Sequence, residues 1–314
     1  MRVANNSYTD AILSQINLLT ARQYSLQNQA STGLRLQSVS DDPAAMQNTL
    51  NGLSRRTAQT QYASNIATLQ NRASSVYSVM QSLQSLTSRA GEIATLAGSP
   101  TASPADLNNY ASEMNQLISQ ATQLMNTKDA ASGQYLFGGT NSTQTPYTST
   151  KDANDVIAGV SYQGNSSVNQ VEIAPGVTVS VDVPGENTTG VGVHGLITDS
   201  QSGADLFNHL LSLRNNLLSG DTAAITATDS VNLQKDENNQ LYQISYNGAT
   251  QTHLNNAATF AAGQSSALDQ MISNSSSADL VQTMVQLNQA QTAYQAALQS
   301  SAKIMQLSIL NFLP

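Results

Sequence analysis

The residues able to do acid–base or metal chemistry are few in this chain and stand far apart. Its three histidines, His194, His209 and His253, fall in different predicted elements. None has a second histidine or a carboxylate at helical ligand spacing on an obvious shared face, so we interpret them as unrelated surface or boundary residues. The sequence therefore predicts no metal site and no catalytic histidine.

Other short patterns are equally poor candidates for a chemical site. Asp236 and Glu237 form an acidic pair that a solvated helix face explains better than paired acid–base catalysis. Asp152 and Asp155 lack the twelve-residue ligand pattern of a calcium loop. The glycine turn at 138–140 has no lysine at P-loop spacing, and no Gly-x-Ser-x-Gly elbow occurs. We expect no catalytic residue, no cofactor and no enzymatic activity.

Composition excludes further classes of function. The 314 residues include no cysteine, which rules out disulfides, thiolate metal sites and a cysteine nucleophile. A formal net charge of −8 repels a phosphate backbone, so nucleic acid is not an expected partner. No run approaches the roughly 18 apolar residues of a membrane span, and the first residues lack the apolar region of a secretory signal. We expect neither membrane insertion nor a cleaved signal peptide.

The elements that position the side chains are mostly helical. Apolar residues alternate at spacings of four and three from Tyr62 to Leu83, as in a coiled coil. Gly98 ends this helix, and Ser103 with Pro104 begins the next one as N-cap and first helical residue. Two long helices with narrow stripes and a short connection predict an antiparallel helical hairpin.

The middle of the chain has a different character. Residues 138–200 are rich in Gly, Val and Thr, and apolar residues alternate over 168–173 and 177–183 with Ala174-Pro175-Gly176 between them. This pattern predicts two strands and a turn, and residues 156–162 form a third expected strand. Helical spacing returns after Ala204. The fold class is therefore predicted as mainly α with a small β insertion, an elongated antiparallel bundle with paired termini and a central antiparallel β domain.

Three domains follow from these patterns. We predict a terminal coiled-coil polymerisation domain from residues 1–45 and 270–314. Residues 46–135 and 200–269 form a helical bundle domain, and residues 136–199 form a small outward-facing β domain.

The two ends of the chain carry regular apolar stripes on almost uncharged helices. From Ala11 to Leu34 the one charged residue is Arg22, and from Val281 to Pro314 it is Lys303. A solvated helix normally carries charge on its outer face, so these helices are expected to meet protein on several sides. We predict that the termini pair and order fully in a polymer. The candidate assembly residues are Ile12, Ile16, Leu19, Leu26, Leu280, Met284, Leu287, Tyr294, Leu298, Met305, Leu307, Leu310 and Phe312.

A loop after the first helix holds the best local motif. Gly33 is expected to end that helix, Asp41 or Asp42 to cap the next, and Pro43 to occupy its first turn. Arg35 is placed to pair with Asp41 across the loop, a contact of small energy if it is exposed. We treat these five residues as a candidate interlayer loop.

The terminal motifs resemble the bacterial flagellar axial proteins. STGLRLQSVSDDPA, residues 31–44, is similar to that family's glycine–arginine loop with paired aspartates, and residues 291–313 resemble its terminal helix. Pro43 after the paired aspartates and the segment GQYLFGGT, residues 133–140, favour the hook-associated branch at the hook–filament junction over flagellin.

This resemblance implies a structural role. It implies export without a cleaved signal peptide by the flagellar type III apparatus, with an export chaperone, and an extracellular place at the hook–filament junction. The implied partners are further copies of the chain, hook-associated protein 1 on the hook side and flagellin on the filament side. Two alternatives stay open: a flagellin-type filament subunit and, in a different class, a secreted coiled-coil binding module.

Overall fold

The computed structural model describes the backbone of residues 2–310 and the side chains of residues 10–303. Helix α1 spans Arg2–Thr32, α2 spans Pro43–Ala97, α3 spans Pro104–Met125 and α4 spans Leu206–Ser219. A short turn α5, Thr222–Ala224, and a π-helical turn, Ile225–Asp229, lead into α6, Ser230–Ser276, and α7, Leu280–Leu310. Long helices and a small β segment thus confirm the predicted fold class.

Seven short strands lie between α3 and α4. They are β1 Tyr147–Lys151, β2 Ile157–Tyr162, β3 Val171–Ala174, β4 Val177–Val179, β5 Glu186–Asn187, β6 Thr198–Asp199 and β7 Ala204–Asp205. Strands β1 and β2 form one antiparallel hairpin, and β3 and β4 form another. The pairing is antiparallel as predicted except at one point, where β5 runs parallel to β6 before β6 pairs antiparallel with β7.

Local sequence signals set the ends of the elements. The β3–β4 turn is the predicted Ala174-Pro175-Gly176, where Gly176 has a φ of +72° that a residue with a Cβ rarely adopts. Helix α2 ends at Ala97, directly before Gly98. Ser103 caps α3 by accepting from the backbone N–H of Asp106, while the Asp106 carboxylate accepts from the backbone N–H of Ser103. This reciprocal pair is a capping box.

Loss of this cap gives a measurable stability change. We expect Ser103→Ala to lower the free energy of unfolding by about 1 kcal/mol, since the N–H of Asp106 loses its acceptor. Ser112→Ala on the same helix is the matched control, because the Ser112 hydroxyl only donates to the carbonyl of Asn108. Urea unfolding followed by circular dichroism measures both. Equal midpoints for the two variants would contradict the capping assignment.

The chain divides into two compact units. The terminal unit comprises residues 1–60 and 263–314, and the central unit comprises residues 61–262. In the central unit, α3 packs on α4, and the buried side chains of α2, α3, α4 and the β segment form one large apolar cluster. Its largest fully buried members include Phe137, Met80 and Tyr147. Ile66, Leu69 and Leu254 belong to a second, smaller cluster with the β3–β4 hairpin.

Candidate assembly interface

The terminal unit is built on the packing of α1 against α7. The carbonyl of Gly33 accepts from the N–H of Ala278, so the end of α1 lies beside the start of α7 and the two helices run antiparallel. Gly33 ends α1 with a φ of +69°. On α1, the predicted residues Ile12, Ile16 and Leu19 are half-buried and Leu26 is buried. The α1 candidates therefore face inwards within one chain.

Helix α7 uses a partly different set of residues on its inner side. Leu287 and Tyr294, both predicted, are half-buried, but Thr283, Ala290 and Ser301 are the buried residues among the described side chains of this helix. Ser301 lies on the predicted stripe but was not chosen as a candidate assembly residue, and Thr283 and Ala290 were absent from the stripe. Thr283 is polar and Ala290 is small, so an apolar pattern does not reveal them.

The remaining predicted α7 residues with described side chains face away from the chain. Leu280, Met284 and Leu298 are exposed by 50%, 53% and 42%. Val281 and Val285, which were not predicted, are exposed beside them. The candidates Met305, Leu307, Leu310 and Phe312 lie outside the residues whose side chains are described. An apolar face of α7 thus lacks a cover within the described part of the chain.

The two units differ sharply in how much apolar surface they bury. Of the 41 buried apolar residues among the described side chains, three belong to the terminal unit: Leu26, Leu36 and Ala290. The same unit carries 13 of the 23 exposed large apolar residues, although it is the smaller of the two. A helical unit with so few buried apolar residues gains little free energy from its own packing. The described part of the terminal unit therefore has too few buried apolar residues to form a core of its own.

Contacts between α2 and α6 also belong to the terminal unit and were not predicted. A Cβ at Gly52 would lie 2.8 Å from Ile272 and 2.9 Å from Met271, so glycine permits the close approach of the two helices. Arg56 pairs with Asp269 at 2.7 Å near the same place. The sequence signal that could have revealed this contact was a lone glycine inside a helical pattern.

The loop between α1 and α2 is held by its two aspartates. The Asp41 carboxylate accepts from the backbone N–H groups of Gln37 and Ser38 at 2.9 and 2.8 Å. Asp42, not Asp41, caps α2 by accepting from the N–H of Ala45, and Pro43 is the first helical residue as predicted.

The predicted partner of Arg35 was wrong. Arg35 lies 3.4 Å from Asp42 rather than pairing with Asp41, because the Asp41 carboxylate is turned towards the loop backbone. The Arg35 guanidinium also donates to the carbonyl of Ser275, and its backbone N–H donates to Ser276. The arginine therefore ties the loop to the end of α6.

These hydrogen bonds give the loop a pH dependence. The N–H of Gln37 lowers the pKa of Asp41 below its ordinary 3.8, and the N–H of Ala45 lowers the pKa of Asp42. A carboxyl whose folded pKa is lowered stabilises the fold fully above its unfolded pKa and loses this effect as pH falls through the folded pKa. We expect the loop to be intact at neutral pH and to loosen below the ordinary value of 3.8.

The amide chemical shifts of Gln37 and Ser38 test this expectation in an acid titration. Both should move together at a midpoint below 3.8, and Asp41→Asn should remove the transition. Shifts that stay constant through this range in the unmodified chain would contradict the hydrogen bonds.

Two interpretations of the titratable residues need correction. His194 and His209 are not isolated surface residues: their Nδ1 atoms lie 2.8 Å from carboxylate oxygens of Asp199 and Asp236. Asp236 is buried rather than on a solvated face, and its carboxylate also accepts from the backbone N–H of Asp205. Burial raises the pKa of Asp236. Long-range contacts within the fold explain both differences.

The first pair lies within the β segment and the second joins α4 to α6, and neither pair belongs to a larger cluster of titratable groups among the described residues. Among the described residues, no group of three or more His, Asp or Glu side chains could hold a metal ion. The calcium-like Asp152 accepts from the N–H groups of Asn154 and Val156 and thereby shapes the β1–β2 turn. No helix within the described range is long and apolar enough to cross a bilayer.

Comparison with known proteins places the terminal motifs in context. Residues 3–142 match the family model of the bacterial flagellin N-terminal helical region. No curated protein sequence gives a significant match to the chain.

Solved structures share the fold. A structure described as a flagellar hook-associated protein from Vibrio parahaemolyticus superposes with a TM-score of 0.63 at 20% identity, covering 76% of this chain and 100% of that one. FlgL from Xanthomonas campestris gives 0.56 at 17% identity, covering 69% and 98%. FlgL from Bacillus cereus gives 0.56 at 17% identity, covering 71% and 99%. The chain therefore has the fold of the flagellar hook-associated proteins, and its residues 3–142 match the helical region of the bacterial flagellin N-terminus, which confirms the resemblance of the motif at residues 31–44.

Proposed function

We propose that this chain is a structural subunit of the bacterial flagellum at the hook–filament junction, the role of hook-associated protein 3. It assembles through its terminal helices and has no enzymatic role. The observation that carries the proposal is the imbalance of the terminal unit, which holds three of the 41 buried apolar residues but 13 of the 23 exposed large ones. Burial of that exposed surface against neighbouring subunits would supply the missing core.

The proposed partners follow from this position. Further copies of the chain form its layer of the assembly, hook-associated protein 1 lies on the hook side, and flagellin lies on the filament side. An export chaperone and the flagellar type III apparatus deliver the chain to the outside of the cell. Marginal terminal helices suit such a route, because they cost little to unfold before they are stabilised by assembly.

The loop between α1 and α2 has a mechanical part in the proposal. Gly33 stops α1, and Asp42 with Pro43 restarts the chain as α2, while Arg35 holds the loop to the end of α6. These residues set the angle between α1 and α2, which belong to successive helical layers. A force on α1 is therefore transmitted to α2 through a loop that these hydrogen bonds hold in place.

A flagellin-type filament subunit is the second candidate, and the match to the flagellin N-terminal region favours it. Both candidates use the same terminal surfaces and differ in copy number and place. A secreted coiled-coil binding module would instead need a ligand site in the β segment.

Localisation tests the proposal, and the absence of cysteine makes the label specific. The Gly185-Glu186-Asn187 segment is unsuitable for the label because Gly185 and Asn187 are buried. Ala153 is exposed in the β1–β2 turn. Ala153→Cys, labelled on intact cells with a maleimide dye, should mark one spot at the base of each filament.

The other labelling patterns contradict the junction role. Dye along the whole filament would make the chain a flagellin-type subunit. Flagella without dye, together with normal motility after deletion of the gene, would leave the binding module as the explanation.

A further inference from the structure

Helix α6 carries a stripe of side chains that the described part of the chain covers only in part. Its members follow one another at spacings of four and three, as in a coiled-coil seam, and all are exposed. The exposed stripe consists of Tyr242, Tyr246, Ala249, His253, Asn256 and Phe260. All six belong to the central unit.

The exposed stripe concentrates a residue type that is scarce in this chain. Aromatic residues make up 5% of the sequence. Four aromatic side chains are highly exposed among those that the structure describes, and three of them are Tyr242, Tyr246 and Phe260, at 49%, 53% and 65%. Exposed aromatics gathered on one surface are typical of protein interfaces, where tyrosine is enriched among residues that contribute most to binding.

Two of these rings are already held in place. The rings of Tyr242 and Tyr246 stack with centroids 6.4 Å apart and an interplanar angle of 17°. The ring of His194 packs against Tyr242 at 4.7 Å, and Asp199 holds that histidine at 2.8 Å. Rigid aromatic side chains lose little conformational entropy when a partner covers them. The stripe is therefore preorganised for contact.

Charge narrows the choice of partner. Residues 241–262 contain no Asp, Glu, Lys or Arg, although the chain as a whole carries a net charge of −8. A basic partner would find no carboxylate on the stripe, whereas a second acidic chain meets no repulsion there. We propose that the exposed stripe of α6 is a contact surface for a second copy of this chain within the assembly, which rests on the proposed function.

The small area of the exposed stripe indicates that this contact forms only within an assembly. Three aromatic side chains that are about half exposed present roughly 300 Å² of surface, less than the roughly 800 Å² per partner of a stable interface. The stripe alone is thus too small to hold a dimer of free chains. It closes when the terminal helices already hold two copies together, because the second contact is then intramolecular.

A photo-crosslinking amino acid tests the contact in the assembled state. p-Benzoylphenylalanine replaces Tyr246, where it keeps an aromatic ring, and purified hook–filament structures are irradiated. Mass spectrometry should identify a crosslink to another copy of this chain, and the free chain at micromolar concentration should give none. The same amino acid at Gln234, exposed on the charged part of α6, is the control and should give less of this product.

The alternative outcomes separate this contact from the junction role. A crosslink to a different protein assigns the stripe to another partner, and equal self-crosslinking at Gln234 shows that the contact is unspecific. A chain that localises to the junction but gives no crosslink at Tyr246 refutes this contact alone. A chain that crosslinks to itself along whole filaments refutes the junction role and leaves the contact standing.

Discussion

Replacement of Leu298 with aspartate should abolish incorporation of the chain into flagella while the central unit stays folded. The Leu298 side chain is 42% exposed on the uncovered face of α7, together with Leu280 and Met284. The free chain therefore tolerates a charge there. In an assembly that covers this face, the carboxylate would be buried without a partner, at a cost of several kcal/mol per subunit. Flagella labelled through Ala153→Cys provide the count of incorporated chains.

The control for this variant lies two residues along the same helix. Ser300 is exposed and points to a different side of α7, so Ser300→Asp adds the same charge away from the apolar face. We expect it to incorporate far better than Leu298→Asp. Normal incorporation of Leu298→Asp would refute the assembly role of this face, and a changed near-ultraviolet circular dichroism spectrum would reveal a folding defect instead.

The second large effect concerns the stability of the central unit. Arg72 on α2 lies 2.7 Å from Asp182, and both side chains are largely buried, with 13% and 6% of their surface exposed. Asp182 also accepts from the backbone and the side chain of Asn169. Arg72→Met keeps much of the apolar stem but leaves the carboxylate buried without its cation, so unfolding should become easier by roughly 3 kcal/mol.

Arg89 provides the comparison, because it is on the same helix and pairs with Glu92 and Glu113 in a more exposed setting. Arg89→Met should change the urea midpoint less than Arg72→Met does, since exposed ion pairs contribute little. The double variant Arg72→Met, Asp182→Leu should recover part of the lost stability, because it also removes the buried carboxylate that has lost its cation. Equal midpoints for the two single variants would contradict this account of the pair.

Signals that act over a few residues were predictable from the sequence. Ser103 and Pro104 specify the start of α3 through a capping box, and Gly33 specifies the end of α1 because its φ is positive. The Pro175-Gly176 turn fixes the β3–β4 hairpin in the same way. Each of these features depends on the conformational preference of one or two residues, so no knowledge of the tertiary fold is needed.

Features that depend on distant partners were not predictable. Asp236 is buried because the N–H of Asp205 and the ring of His209 reach it from the elements before α6. On α7, the apolar stripe mixes inward residues such as Leu287 with outward ones such as Leu298. The inner face is completed by Ala290, whose small size carries no signal in an apolar pattern. Which side of the helix meets α1 follows from packing, not from periodicity.

Hydrogen exchange in free and assembled protein tests the central claim that the terminal unit is completed by neighbouring subunits. In the free chain, the amides of α1 and α7 should exchange far faster than those of α3 and α4, which lie in the apolar core of the central unit. In isolated hook–filament structures, α1 and α7 should become as protected as α3. Equal protection of α7 and α3 in the free chain would contradict the account, because the terminal unit would then be stable by itself.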